Sequence, residues 1–211
     1  MMRTEKRDFN KAAAKWDEEP RRVKLAGDVA RAISEEVRLT PDMDVLDFGC
    51  GTGLLSLNLL PSVRSVTGVD SAQGMLSVLN SKIEALDLSN VRTMHIDIDK
   101  GDRLEGSYNL VTSSMTLHHV KDIKPLLDRF YRILVPAGYL CIADLDLDGG
   151  RFHEDSTGVF HNGFDRKELR QLLVDAGFED VRDRTAASMT KQVAGGEKGE
   201  FTIFLVVGRK G

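Results

Sequence analysis

Cysteine is scarce in this chain, with two among 211 residues, Cys50 and Cys141. They form no CxxC pair, and two thiols cannot build a disulfide framework. Both lie in apolar, strand-like stretches, which suits a reducing cytoplasm. No cysteine or histidine set has the spacing of a zinc site, so no metal is expected. No hydrophobic run reaches the length of a membrane span, and the opening MMRTEKRDFNK lacks the apolar core of a secretion signal. Basic runs are missing as well: Lys6-Arg7 sits between Glu5 and Asp8, and Arg21-Arg22 follows Glu18-Glu19. With a formal net charge of −4, the chain shows no basic run of the kind that nucleic-acid backbones attract. A small-molecule or protein substrate is favoured instead, and nothing in the sequence sets an oligomeric state. Repeats and low-complexity tracts are absent.

What is present is ordinary globular material. Hydrophobic residues make up 41% and charged residues 29%, which excludes a disordered chain. The length fits one domain over 1–211, large enough to cover both faces of a central sheet. Helical and strand-like patterns alternate, which predicts an α/β fold with a mostly parallel sheet. A short helix over 8–16 is interrupted at Pro20, and a longer one follows over 23–37, with Leu25, Val29, Ile33 and Val37 at helical spacing. Strands are predicted at 45–48, 65–70, 91–97, 108–113 and 138–145. Helices are predicted at 54–60, from Ser71 as cap to about 86, at 123–134 and at 166–176. Two terminal strands, 181–188 and 201–207, are joined by a turn at Gly195-Gly196. About twenty residues, 146–164, separate the fifth strand from the next helix. Loops of that length are commonly functional, so this one is expected to form part of an acceptor pocket.

The chemistry concentrates at strand ends. VLDFGCGTG places Gly49, Gly51 and Gly53 between a strand and a helix, where the missing Cβ atoms permit a sharp turn and close ligand approach. The dinucleotide fingerprint GxGxxG would need glycine where Leu54 stands, so the spacing departs from the nicotinamide pattern. Asp70 ends the second strand beside the crevice where such sheets bind ligands, and its carboxylate can accept from both hydroxyls of a ribose. Asp97 ends the third strand and is placed to meet an adenine amino group. Each acid alone reads as a turn or helix cap. The glycine turn and the two acids, in order at three successive strand ends, read as a nucleoside site.

The series VLDFGCGTG, VTGVD, HIDID, YNLVTSSMTLHHV and LVPAGYLCIADLD resembles class I S-adenosylmethionine-dependent methyltransferases over nearly the whole chain. FNKAAAKWDEEP and GFDRKELRQLLVDAGF are similar to the small-molecule members, the group that includes the ubiquinone and menaquinone biosynthesis methyltransferases. The resemblance implies a doubly wound, Rossmann-like, seven-stranded sheet whose last strand is antiparallel, and S-adenosyl-L-methionine as cofactor. It implies that Asp47, Gly49 and Gly51 line the methionine part and that Asp70 holds the ribose. Ser71, Met75, Asp97 and Ile98 would lie at the adenine, with Ser114 near the methionine end and Trp16 as an aromatic close to the cofactor. The N-terminal helices, 1–40, are a candidate lid, to which Phe9 could contribute.

Methyl transfer from a sulfonium needs chiefly binding, alignment and exclusion of water, plus a base if the nucleophile arrives protonated. Candidates for base or acceptor contacts follow the fourth and fifth strands: His118, Asp146 and His161 first, then His119, Asp144 and His153. Their bland readings are solvent-facing, capping or loop-supporting side chains. Asp144-x-Asp146-x-Asp148-Gly149, with Asp155 at the twelfth place, imitates a calcium loop but lacks the preceding helix. Magnesium-assisted oxygen methylation would also use such acids. The cysteine constellation of arsenite methylation and the Asn/Asp-Pro-Pro-aromatic signature of amino-group methylation are both absent. A nicotinamide oxidoreductase and a cofactor-binding partner module without catalysis are the rival readings.

Overall fold

The computed structural model describes residues 7–193 and 197–211. A short helix α1 (Phe9–Ala12) runs into a 3₁₀ turn (Ala13–Glu18) and then α2 (Pro20–Glu36). Next come β1 (Asp44–Phe48), α3 (Leu54–Leu59), β2 (Ser65–Asp70), α4 (Gln73–Ala85), β3 (Val91–His95) and β4 (Tyr108–Ser114). The rest is α5 (Ile123–Ile133), β5 (Leu134–Leu145), α6 (Arg166–Asp175), β6 (Phe178–Gln192) and β7 (Lys198–Lys210). The strands form one seven-stranded sheet in the order β3-β2-β1-β4-β5-β7-β6. β1 to β5 pair in parallel, and β7 alone runs antiparallel, to both β5 and β6. This is the doubly wound α/β sheet with an antiparallel last strand. Strand order reverses between β1 and β4, which opens the ligand crevice there.

Both sheet faces are covered, so the central strands are apolar on both sides. Val45, Leu110, Cys141 and Leu205 pack toward α2 and α3, while Leu46, Val111, Ile142 and Phe204 pack toward α5 and α6. Strand alternation turns each neighbouring pair to opposite layers.

Several expected boundaries move. Pro20 starts α2 at its first turn, where a proline's missing N–H costs nothing, and Glu19 accepts from the Arg21 N–H. β3 ends at His95, so Asp97 lies two residues past it. α4 begins after Ala72, and the oxygen at its start is Asp70 Oδ1, which accepts from the Ala72 N–H, rather than Ser71. β6 and β7 extend well past the predicted pair. The Gly195-Gly196 turn lies outside the described residues.

The long loop after β5 is closed at its base. Asp146 and Phe164 form an isolated parallel bridge, and the Asp146 carboxylate takes two bonds of 2.6 Å from Arg166 at the start of α6. Thr202 on β7 donates to the same carboxylate at 2.6 Å, and Arg166 also reaches Thr185 and Asp183 on β6. Burial opposes ionisation of Asp146, but Arg166 and Thr202 hold its pKa below the usual carboxylate value. Asp146 therefore ties loop, helix and hairpin together. Replacing it with alanine is expected to cost about 2 kcal/mol by denaturant unfolding, the range for hydrogen bonds to charged groups, with cofactor affinity by titration calorimetry unchanged.

Candidate functional site

The glycine turn follows β1 directly. Gly49, Gly51 and Gly53 have φ of 72°, 55° and 82°, a region that side chains avoid. A Cβ on Gly49 would sit 2.3 Å from the Thr116 hydroxyl, whereas one on Gly51 would meet only Met75 Sδ, at 4.0 Å. Gly49 thus allows close packing, and Gly51 leaves room on the cavity side. Asp70 ties this turn to the next helix: Gly51 N–H donates to Oδ2 and Ala72 N–H to Oδ1, each at 2.8 Å. Burial nevertheless raises the Asp70 pKa above its ordinary value. Asp47, on the last turn of β1, is 1% exposed and accepts from the Ser56 hydroxyl. Burial, reinforced by the nearby Asp70 charge, outweighs that bond and raises the Asp47 pKa to about 7. Asp97 caps the 3₁₀ turn Ile98–Lys100, accepting from the Asp99 N–H.

These groups line one cavity of about 760 Å³ at the carboxyl edge of the sheet. All of Trp16, Asp47, Gly49, Gly51, Asp70, Ser71, Met75, Asp97, Ile98 and Ser114 reach its wall. The N-terminal segment crosses over the turn. Asp17 accepts from the Thr52 hydroxyl at 2.6 Å and pairs with Lys82 at 2.5 Å, and Lys82 also donates to the Thr52 carbonyl. Trp16 is fixed by the Arg22 guanidinium, 3.8 Å from its ring centroid and bonded to its carbonyl. Within the expected lid, only the part as far as Leu25 and Ala26 reaches the cavity; Val29 and Ile33 of α2 belong to the core.

The other half of the cavity holds three histidines. His118, in the 3₁₀ turn Leu117–His119 after β4, is 1% exposed. Its Nδ1 lies 2.6 Å from Asp144 Oδ1, and its backbone N–H points to Oδ2. Asp144 is fully buried; burial opposes its charge, but His118 and the Leu145 N–H outweigh that and lower its pKa. His119 Nδ1 lies 2.7 Å from the Gly158 carbonyl. His153 comes from the long loop, and its buried Nε2 has no hydrogen-bond partner among the described residues. Burial first, then the neighbouring His118, pushes the pKa of both His119 and His153 down to about 4. Both are therefore neutral at physiological pH.

Two sequence candidates lie elsewhere. Asp146 is committed to Arg166, and His161 contacts the Val120 carbonyl at 2.9 Å and stacks near Phe164. Neither lines the cavity. The acids of the calcium-like run also part company, Asp144 to His118, Asp146 to Arg166 and Asp148 to the Gly150 and Phe152 amides. Among the described residues no cluster of three or more His, Cys, Asp or Glu is arranged to hold a metal. The sequence reading missed Phe152, Met189 and Lys191 as wall residues. The predicted strand stopped at 188, short of the two from β6, and no spacing in the loop singles out Phe152.

A family model described as a methyltransferase domain matches residues 17–183. An uncharacterized methyltransferase of Schizosaccharomyces pombe is 32% identical over 155 residues, covering 66% of this chain and 54% of that protein. A demethylmenaquinone methyltransferase of Listeria welshimeri is 32% identical over 51% of this chain and 47% of its own length. The chain thus spans about half the length of these curated relatives. Among solved structures, phosphoethanolamine N-methyltransferase 2 of Haemonchus contortus, bound to S-adenosyl-L-methionine, superposes with a TM-score of 0.69 at 17% identity, over 86% of this chain and 52% of that one. The glycine turn, the strand-end acids and the matched model agree, and the chain belongs to the methyltransferase-domain family, the class I S-adenosylmethionine-dependent group that its motifs resemble.

Proposed function

We propose that the chain transfers a methyl group from S-adenosylmethionine to a small-molecule acceptor by in-line displacement. The single observation that carries this reading is the convergence of ten motif residues, from Trp16 to Ser114, on one cavity. The donor set fits the cofactor. Gly51 leaves the wall without a side chain where a ligand would approach, and the buried Asp47 and half-buried Asp70 supply carboxyl groups for a cationic amino acid end and a ribose. Asp97 and Ile98 suit an adenine edge and face, and the Trp16 ring offers a π-surface to a cation. When bound, S-adenosylmethionine supplies a methyl group on a positively charged sulfur. The protein's share is alignment and exclusion of water, which can be worth roughly 7–11 kcal/mol. Residues of the 7–19 strap and His118, His119 and His153 all contribute to the wall, Phe9 of the strap lying against His119.

The wide cavity and the net charge of −4 favour a small acceptor over a nucleic acid. Two buried free cysteines suit a reducing cytoplasm, and no described helix is long and apolar enough to cross a membrane.

Titration calorimetry with S-adenosylmethionine, S-adenosylhomocysteine and NADH tests the reading. Micromolar binding of the first two and none of NADH is expected; binding of NADH alone would overturn it. Asp70→Ala should weaken S-adenosylmethionine binding at least tenfold, and unchanged affinity would remove Asp70 from the site.

The Asp47 carboxyl generates a pH dependence. Its pKa near 7 in the free protein means that it is largely protonated at pH 6. A cationic ligand favours the ionised form, so binding expels a proton, and affinity falls by up to about tenfold per pH unit below 7. The same sign holds for stability: the raised pKa favours the folded state at low pH, and that contribution is lost as pH rises from about 4 through 7. Calorimetry at pH 6 in buffers of different ionisation enthalpy should show proton release on binding, and Asp47→Asn should abolish it.

A further inference from the structure

Five rings form an unbroken arc in the cavity wall. Phe9, His119, His118, His153 and Phe152 follow one another with centroids 5.1, 4.1, 4.9 and 4.9 Å apart. All five line the cavity, and Met115 and Met189 join them. Aromatic and thioether groups of this kind take flat apolar ligands at low conformational cost. Desolvation also keeps His119 and His153, on either side of His118, neutral. Lys191 lies 5.1 Å from the Phe152 centroid, and Arg7 is a second cation in the wall. A protonated amine would find neutral imidazoles and cations here, so the surroundings favour a neutral or anionic acceptor.

The central ring differs from its neighbours. His118 is the one histidine of the arc held by a carboxylate, Asp144, and both are buried. With Nδ1 facing Asp144, the tautomer with its hydrogen on Nδ1 leaves the Nε2 lone pair as the base, and Asp144 stabilises the imidazolium that forms when Nε2 takes a proton. The neighbouring His153 Nε2 is buried and has no hydrogen-bond partner among the described residues.

We propose that this arc seats a flat aromatic acceptor and that His118, oriented by Asp144, takes the proton from its hydroxyl group, so that oxygen is the atom methylated. This rests on the cofactor reading above. The acceptor O–H bond breaks with its proton passing to His118 Nε2, an O–CH₃ bond forms, and the S–CH₃ bond breaks with its electron pair going to sulfur. His118 then returns its proton to solvent. Histidine is the catalytic base, Asp144 the positioning residue.

The test uses the full chain, with phenol, catechol, 4-hydroxybenzoate and 4-nitrophenol as oxygen probes and benzylamine and thiophenol as nitrogen and sulfur probes. Radiolabelled methyl transfer to at least one oxygen probe, exceeding that to the other two, is expected. His118→Gln should lower transfer to phenol-type probes by about 10²–10⁴-fold, the usual share of a general base. At a pH where 4-nitrophenol is already ionised, the same variant should stay within a few-fold of the parent, which a merely structural loss would not permit. Asp144→Asn should show the same pattern with a smaller loss. Independently of turnover, 4-nitrophenol bound with S-adenosylhomocysteine should show phenolate absorbance below its own pKa in the parent and not in His118→Gln. Transfer to none of the oxygen probes, transfer chiefly to nitrogen or sulfur, or equal losses on ionised and protonated probes would overturn the proposal. Calorimetry with S-adenosylhomocysteine on the same samples separates the two readings: retained binding with any of these results sinks the acceptor assignment alone, while lost binding in the parent sinks the cofactor reading beneath it.

Discussion

A single carboxylate joins the glycine turn to the start of α4. Asp70 stands at the end of β2 and accepts from Gly51 in the turn after β1 and from Ala72 at the entrance to α4. The turn cannot brace itself, because three of its residues are glycines with positive φ and no side chains. The ladder supplies part of the support, through the Gly49 and Cys50 amides on the Val69 carbonyl. The carboxylate supplies the rest. Burial of that charge is costly, and the amide bonds offset it only in part, as the raised pKa records. A group already desolvated in this way meets a hydroxyl or a cation without the full loss of hydration. The same burial that strains the acid therefore suits it to binding.

The histidine part of the cavity is built by a different device. Parallel strands deliver β4 and β5 to the same edge, so the turn after β4 and the end of β5 meet, and His118 reaches Asp144. The loop that returns from β5 adds His153 and Phe152, and its base is held by the Asp146–Arg166 pair. Asp144 and Asp146 are two residues apart and do unlike work. The first is still within β5 and points to the buried imidazole. The second is past the strand, where β7 and α6 offer Thr202 and Arg166 instead. A carboxylate on this edge thus holds a buried imidazole or ties the scaffold together, according to which neighbour the sheet brings up.

The sheet itself was legible from pattern. Apolar runs of strand length, separated by helical spacing, give a doubly wound sheet because both faces must be covered. The gathering of the motif residues on one cavity wall was legible too, since they sit at fixed offsets from strand ends and each strand end lies at the crevice. Glycine spacing separated this turn from the dinucleotide fingerprint through one position, Leu54. Boundaries were less legible where long-range pairing decides them. β6 extends to Gln192 because β7 pairs with it that far, and no local feature of Met189 or Lys191 announces it.

By itself, then, the sequence determined the fold class and the motif residues that gather on one cavity wall, because these depend on local periodicity and on motif position. The tertiary structure alone decided the arrangement of the histidines. Which histidine meets a carboxylate, which stays neutral and which is only a loop prop depends on partners 26 to 41 residues away, such as Asp144 for His118 and Val120 for His161. Contacts at that separation leave no period in the chain, since they are set by how the strands lie side by side and by where the return loop is pinned.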